Sequence, residues 1–125
     1  PMNRVIIGMG SNILPEENIR RAILELAKSM QIIRETGLIR TAPIGITDQP
    51  DFMNGAILAE TGLEQEELTL LLKNTEDMLG RDRSMPKFSP RTIDLDILVW
   101  NGKITDKDYY SRDFLKTLVD EILTC

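Results

Sequence analysis

Hydrophobic residues along the chain alternate between the two-residue period of β-strands and the three-to-four-residue period of helices. A run rich in β-branched residues from Arg4 to Met9 predicts a buried strand. An amphipathic pattern that opens at Pro15, a residue suited to a first helical turn, predicts a helix to about Ser29. Strand character resumes from Gln31 to Thr41, and Gly37 indicates a bend or bulge within it.

The second half of the chain follows a similar order. Residues Asp51 to Glu60 predict another strand, and a second amphipathic helix is expected from Glu64 to Gly80. After a loop, the apolar run from Ser89 to Trp100 predicts a further strand. Asn101-Gly102 is a strong signal for a tight turn into a short returning strand. A last apolar stripe that begins at Leu115 predicts a third helix.

The predicted order of elements is β-α-β-β-α-β, followed by a hairpin and a helix. This order is that of the split βαβ, ferredoxin-like arrangement. The sequence therefore predicts an α+β fold: an antiparallel sheet with helices packed on one face, plus the hairpin and the C-terminal helix. With 125 residues, the chain is long enough for one core, so we expect a single domain over residues 1–125.

The composition narrows the class of protein. Apolar residues make up 42% of the chain and charged residues 28%, which is ordinary for a globular domain. No apolar run approaches the ~20 residues of a membrane span, and the N-terminal run predicts a strand and no secretory signal. We therefore expect a cytoplasmic protein without a membrane partner. The single cysteine, Cys125, excludes an internal disulfide and fits a reducing compartment.

Charge and residue content restrict the chemistry. The chain has no histidine, which removes Ser-His-Asp mechanisms and histidine-ligated zinc. A net charge of −5 argues against a nucleic-acid-binding surface. Residues 80–91 nevertheless carry four cations and one anion, a net +3, so the rest of the chain carries −8. This basic loop indicates a site for a small polyanion, and a solvated surface loop is the alternative.

The segment Asp94-Leu95-Asp96 carries the clearest chemical signal. In a strand, residues i and i+2 point to the same side, so the two carboxylates are expected side by side. Two close anions are costly without a cation between them, and Mg²⁺ suits such oxygen ligands. Arg81, Arg83 and Arg91 lie just upstream and are donors of the kind that hold phosphates. Together these residues indicate an enzyme that handles a nucleoside triphosphate.

Four motifs in order carry a family resemblance: Ile7-Gly8-Met9-Gly10-Ser11-Asn12, Arg40-Thr41-Ala42-Pro43-Ile44-Gly45, Gln49-Pro50-Asp51-Phe52-Met53-Asn54 and Pro90-Arg91-Thr92-Ile93-Asp94-Leu95-Asp96-Ile97. They resemble the 6-hydroxymethyl-7,8-dihydropterin pyrophosphokinases of folate biosynthesis. The resemblance implies a ferredoxin-like fold and a kinase that transfers pyrophosphate from ATP to the pterin hydroxymethyl group and releases AMP. It also implies two Mg²⁺ ions, with ATP as co-substrate and the pterin as substrate.

The resemblance assigns roles to individual residues. It makes Asp94 and Asp96 the metal ligands. The catalytic residues that it implies are Asp94, Asp96, Arg91, Arg81 and Arg83. The pterin-binding residues that it implies are Thr41, Pro43, Ile44, Phe52, Asn54 and Phe114. The nucleotide-binding residues that it implies are Glu76, Arg81, Arg83, Arg91, Ile97 and Arg112. Gly8, Ser11 and Asn12 are expected to shape a tight turn, and for each site residue the alternative is a core or surface position.

The chain departs from the family after the hairpin. A segment resembling Val-Pro-His-Pro is common there, whereas this chain has residues 106–114 without histidine, and it stops earlier. We expect an active but compact pyrophosphokinase, and a homodimer that covers the side left by the short C-terminus is one possibility. A catalytically impaired homologue that binds pterin or nucleotide without turnover is the main alternative. An RNA-binding module and a structural partner domain are further alternatives, although 5% aromatic residues argue against RNA.

Overall fold

The computed structural model describes residues 2–124, so Pro1 and Cys125, with the expectation attached to that cysteine, lie outside the described residues. The elements in chain order are β1 (Asn3–Ser11), α1 (Pro15–Leu26), β2 (Gln31–Glu35), β3 (Ile39–Thr41), β4 (Phe52–Thr61), α2 (Gln65–Met78), β5 (Asp94–Trp100), β6 (Lys103–Ile104) and α3 (Asp113–Thr124). All strand pairs are antiparallel. The α+β fold with an antiparallel sheet is thereby confirmed.

The six strands form one sheet in the order β2-β4-β1-β5-β6. The strand β3 also pairs with β4, so β2 and β3 follow each other along the same edge of β4. The strand predicted from Gln31 to Thr41 is therefore two strands, interrupted around Gly37, where a bend was expected. Because β1 and β4 lie in the middle of the sheet, they are buried on both faces over most of their length.

Both faces of the sheet are covered. Helices α1 and α2 pack on the face that carries Val5 and Ile7, and Leu26 and Leu68 are fully buried there. Helix α3 packs on the opposite face, where Leu118 contacts the cluster around Ile6. Burying each such leucine contributes roughly 2 kcal/mol, which drives the three layers together. In the described part of the chain, no helix is both long and apolar enough to cross a bilayer.

The helix ends follow from local hydrogen bonding. Helix α1 ends at Leu26, three residues before the predicted end, because Lys28 and Ser29 donate backbone bonds only three residues back, to Glu25 and Leu26. Helix α2 begins with a capping box, in which the Glu67 carboxylate accepts a hydrogen bond from the backbone N–H of Glu64 (2.9 Å). It ends before Gly80, whose φ of +92° terminates the helix.

The strand predicted from Ser89 begins only at Asp94, and the earlier residues are irregular. Arg91 explains the difference, because its backbone N–H donates to Asn12 Oδ1 (2.9 Å) and its carbonyl accepts from Asn12 N (3.2 Å). The backbone of Arg91 is thus held by the turn after β1 and is not available for a strand ladder. A second irregularity is a bulge at Leu98, since Ile6 pairs with Val99 and Ile7 with Ile97.

Candidate active site

The floor of the candidate site is built by the central strands. Asn54 on β4, Gly10 on β1 and Asp94 on β5 are direct partners in one cross-strand row. Ala56, Gly8 and Asp96 form the next row. Directly paired residues point to the same face of a sheet, and Ala56 packs in the cluster beneath α3. The two aspartates and Asn54 therefore share the face that α3 partly covers.

The glycines of β1 leave space on this floor for neighbouring side chains. A Cβ on Gly10 would lie 2.9 Å from Asn54 Oδ1, and a Cβ on Gly8 would lie 3.0 Å from the Leu98 side chain. Glycine at these positions leaves room for the Asn54 amide, whose Nδ2 donates to Thr41 Oγ1 (2.7 Å). The Asn54 carbonyl oxygen is thereby fixed over Gly10. The Asn54 amide thus combines a hydrogen-bond donor and an acceptor at the floor of the site.

A cavity of about 680 Å³ lies over this floor. The pterin-binding residues predicted from the sequence that border it are Thr41, Ile44, Phe52, Asn54 and Phe114. The predicted catalytic, nucleotide-binding and metal-binding residues all border it, namely Glu76, Arg81, Arg83, Arg91, Asp94, Asp96, Ile97 and Arg112. Within the part of the chain that is described, Pro43 is the one predicted residue outside the lining, next to Ala42 and Ile44, which belong to it.

Asp94 is held between two arginines. Arg81 Nη1 lies 3.2 Å from Asp94 Oδ1, and Arg91 Nη1 lies 3.2 Å from Asp94 Oδ2. The Arg81 side chain is largely buried, which fixes its direction more firmly than that of a surface ion pair. The two guanidiniums thus converge on the same carboxylate at the edge of the cavity. The geometry concentrates positive charge beside Asp94.

Glu76 organises the arginines from below. It is 3% exposed, its Oε1 lies 2.9 Å from both Arg81 Nη1 and Arg83 Nη2, and its Oε2 accepts from the backbone N–H of Leu95 (2.7 Å). Burial raises the pKa of Glu76, while the bonds from Leu95 and Arg83 act in the opposite direction. Because both oxygens bond to protein groups, this side chain positions the arginines and strand β5.

Asp96 lies in mainly acidic surroundings. It faces the cavity, and loss of hydration together with the charges of Asp94, Asp106 and Glu76 raises its pKa to about 7. The negative charge of Asp96 is therefore poorly compensated, whereas Asp94 forms ion pairs with two arginines. A divalent cation bound there would relieve this repulsion.

The donor set fits Mg²⁺. Asp94 and Asp96 offer hard oxygen ligands on one face of β5, and Mg²⁺ is commonly held by one or two carboxylates with substrate phosphates and water. Over residues 2–124, no group of three or more Asp, Glu, Cys or His side chains is arranged to hold a metal by itself. A metal at this position would consequently depend on ligands from a bound phosphate chain.

Several charged residues of the cavity were not anticipated from the sequence. Asp106, Lys107 and Asp108, in the segment after the hairpin, border the cavity, and so does Lys73. The alternation of acidic and basic residues at 106–108 was a usable signal. The sequence does not reveal, however, that this segment returns to the site.

Comparison with known proteins identifies the family and several relatives of this chain. A sequence profile described as 7,8-dihydro-6-hydroxymethylpterin-pyrophosphokinase matches residues 6–124. A "Folate synthesis bifunctional protein" of Arabidopsis thaliana is 39% identical over 108 residues, which are 82% of this chain and 22% of that protein.

Two bacterial relatives are named 2-amino-4-hydroxy-6-hydroxymethyldihydropteridine pyrophosphokinase. The one from Bacillus subtilis is 36% identical over 102 residues, and the one from Pseudomonas aeruginosa is 33% identical over 108 residues. These matches cover 79% and 84% of this chain, and 60% and 66% of the relatives. The chain thus spans less than two thirds of the length of each of these relatives. Together with the match to residues 6–124, they show that the chain belongs to the 7,8-dihydro-6-hydroxymethylpterin-pyrophosphokinase family.

Proposed function

We propose that this chain transfers pyrophosphate from ATP to the hydroxymethyl group of 6-hydroxymethyl-7,8-dihydropterin in folate biosynthesis. The observation that supports the proposal is the cross-strand row of Asn54, Gly10 and Asp94, which brings the residue that would read the pterin next to a residue that would bind metal. The names of the bacterial relatives support the same activity.

The reaction joins the pterin hydroxyl oxygen to the β-phosphorus of ATP. The bond between that phosphorus and the oxygen leading to the α-phosphate breaks, AMP leaves, and the hydroxyl proton passes to solvent. Catalysis of such a transfer consists mainly of alignment and charge stabilisation, which a set of fixed arginines and carboxylates supplies. The absence of histidine from the chain therefore does not remove the chemistry that the transfer needs.

Each group of side chains has a distinct task in this proposal. Thr41 orients the amide of Asn54 toward the edge of the pterin, and Phe52 and Phe114 provide apolar walls beside it. The flat ring would gain on the order of 1 kcal/mol from contact with each aromatic face beyond burial. Pro43 and Ile44 belong to the loop that closes this end.

The arginine side chains near the proposed phosphate site would change partners when ATP binds. Arg81 and Arg91 would turn from Asp94 toward phosphate oxygens, for which their planar guanidiniums are suited. Arg83, Arg112 and Ile97 would line the nucleotide, while Glu76 keeps Arg81 and Arg83 in place. Asp94 and Asp96 would hold two Mg²⁺ ions, which when bound neutralise phosphate charge.

The variant Asp94→Asn tests this assignment in an assay for AMP release from ATP, Mg²⁺ and the pterin. We expect kcat/KM to fall at least about a hundredfold, because both metal ligation and arginine pairing lose a charge. Asp120→Asn, on the exposed side of α3, is the matched control and should retain turnover. Turnover in Asp94→Asn equal to that of the control would refute the metal assignment. Tight pterin binding by the unaltered chain without any AMP would favour the catalytically impaired homologue.

Cellular location and assembly remain predictions. A cytoplasmic location and a homodimer rest on the sequence alone, and sedimentation of the purified chain tests the second. The expected small-molecule partners are the pterin and ATP.

A further inference from the structure

Two loops border the cavity. The pterin-side loop comprises residues 42–51 and contributes Ala42 and Ile44 to the lining. The phosphate-side loop comprises residues 79–93 and contributes Arg81, Arg83 and Arg91, among others. These loops are well separated in sequence, yet they are joined by specific side-chain contacts.

Gln49 makes the first of these contacts. Its Nε2 donates to the carbonyl of Ile46 within its own loop (2.6 Å) and to the carbonyl of Phe88 in the phosphate-side loop (2.6 Å). Its Oε1 accepts from Asn12 Nδ2 (2.8 Å). Both ends of one amide are therefore used to hold three chain segments together.

Asn12 makes the second of these contacts. It is 4% exposed, and its Nδ2 donates to Gln49 Oε1 and to the carbonyl of Pro50 (3.0 Å). Its Oδ1 accepts from Arg91 N (2.9 Å), and its own backbone N–H donates to the carbonyl of Arg91 (3.2 Å). A buried amide with every side-chain group satisfied is costly to disturb, since an unpaired partner would remain. Asn12 thus fixes the backbone that carries the Arg91 guanidinium.

Packing adds a third contact between the loops. The Phe88 backbone has a φ of 69°, which is uncommon for a residue with a side chain, and its ring lies directly against Gly45. A Cβ on Gly45 would come within 2.6 Å of Phe88 Cδ2. The unfavourable Phe88 conformation is thus accompanied by a close ring contact and by the hydrogen bond from Gln49.

The geometry points to Asn12 and Gln49 as a positioning pair that latches the two loops together and aims Arg91 at the phosphate site. Neither side chain lines the cavity within the described residues, so the pair acts through Arg91 and Phe88 and does not touch substrate. Its effect on turnover rests on the proposed function. Its effect on loop closure does not, because that depends only on the contacts described here.

A double-mutant cycle tests the action through Arg91. We expect Asn12→Ala to lower kcat/KM for ATP about tenfold in the unaltered chain and less than about twofold in the Arg91→Ala chain, because the two changes share one effect. Asn18→Ala is the matched control, since Asn18 is also buried, lies in the first turn of α1 and donates from its side chain to the carbonyl of Ile13 (2.6 Å). It should lower thermal stability and leave kcat/KM unchanged. Equal losses from Asn12→Ala in both backgrounds would overturn the proposal, as would an equal loss in Asn18→Ala.

Limited trypsin cleavage after Lys87 tests the latch without substrates. Gln49→Glu replaces the group that donates to Phe88 with an acceptor, so the phosphate-side loop should be cleaved about tenfold faster while Asn18→Ala leaves the rate unchanged. An unchanged cleavage rate in Gln49→Glu would overturn the latch. Absence of AMP formation by the unaltered chain, with faster cleavage in Gln49→Glu, would count against the proposed function and leave the latch standing.

Discussion

At the scale of single residues, the charged groups of the site depend on one another for their positions. Glu76 binds two arginines and the backbone of β5, and Arg81 in turn binds Asp94. Removing one member of such a buried network leaves the others desolvated and unpaired, which costs more than the lost bond itself. Single substitutions should therefore affect stability as well as turnover.

Replacing Glu76 by Gln should show this dependence most clearly. The neutral amide leaves Arg81 and Arg83 without their shared carboxylate, so we expect the free energy of unfolding to fall by about 2–4 kcal/mol in urea denaturation. Glu66→Gln, on the exposed side of the same helix, should change it by less than about 0.5 kcal/mol. Similar losses in both variants would show that Glu76 acts only as another helix residue.

Asp96 should make stability depend on pH. Its pKa is about 7 in the folded chain and near 3.8 in the unfolded chain, so the folded state keeps a proton that the unfolded state has lost. The free energy of unfolding should therefore decrease as pH rises from about 4 to about 7, and Asp96→Asn should remove that part of the decrease. Urea denaturation at pH 4.5 and pH 8 measures this pH dependence of the free energy of unfolding. The variant should be more stable than the unaltered chain mainly at pH 8.

Asp82→Asn should give the opposite sign, because hydrogen bonds from Ser84 lower the pKa of Asp82. Its ionised form is favoured by folding, so this variant should lose stability relative to the unaltered chain at pH 8. If Asp96→Asn and Asp82→Asn behaved alike, the environment assigned to Asp96 would be wrong.

At the scale of elements, β1 contributes to the site because two of its glycines, Gly8 and Gly10, have no side chain. The strand lies between the strand that carries Asn54 and the strand that carries the aspartates, and Gly8 and Gly10 leave space between them. A glycine inside a strand weakens it, and two of them in a central strand suggest that the space is used. The bulge at Leu98 uses the same space, because it places the leucine side chain against Gly8.

Gly10→Ala should weaken pterin binding selectively. The new methyl group would press on Asn54 Oδ1 from 2.9 Å, so the amide must rotate away from Thr41. We expect about a tenfold loss in pterin affinity by calorimetry, with nucleotide affinity nearly unchanged. Gly62→Ala is the control, because among residues 2–124 a Cβ there comes within 4 Å of Met2 Sδ alone, at 3.9 Å. A Gly10→Ala chain with unaltered pterin affinity would show that Asn54 does not read the pterin.

At the scale of the whole molecule, the sequence predicts the elements well and their long-range contacts poorly. Hydrophobic periodicity identifies the helices and most strands, and strand geometry alone places Asp94 and Asp96 on one side. The late start of β5 could not be predicted, because it depends on Asn12, which lies 79 residues before Arg91. The packing of α3 on the opposite face could not be predicted either, since its apolar stripe does not specify which face it covers.

The same limit applies to the site. Predicted residues from five separate segments border one cavity, because motif order and spacing are visible in the chain. The roles of Gln49 and of residues 106–108 depend on loop paths that no local pattern encodes. The loop that carries Gln49, for example, is held by hydrogen bonds to Asn12 and Phe88, which lie far from it in the sequence.

The most direct test of the whole account is ³¹P NMR of a reaction containing the chain, ATP, Mg²⁺ and 6-hydroxymethyl-7,8-dihydropterin. Attack at the β-phosphorus predicts the AMP signal together with two mutually coupled signals from a pterin diphosphate, appearing at equal rates. Formation of ADP with a pterin monophosphate, or of inorganic phosphate while the pterin stays unmodified, would contradict pyrophosphate transfer by this site.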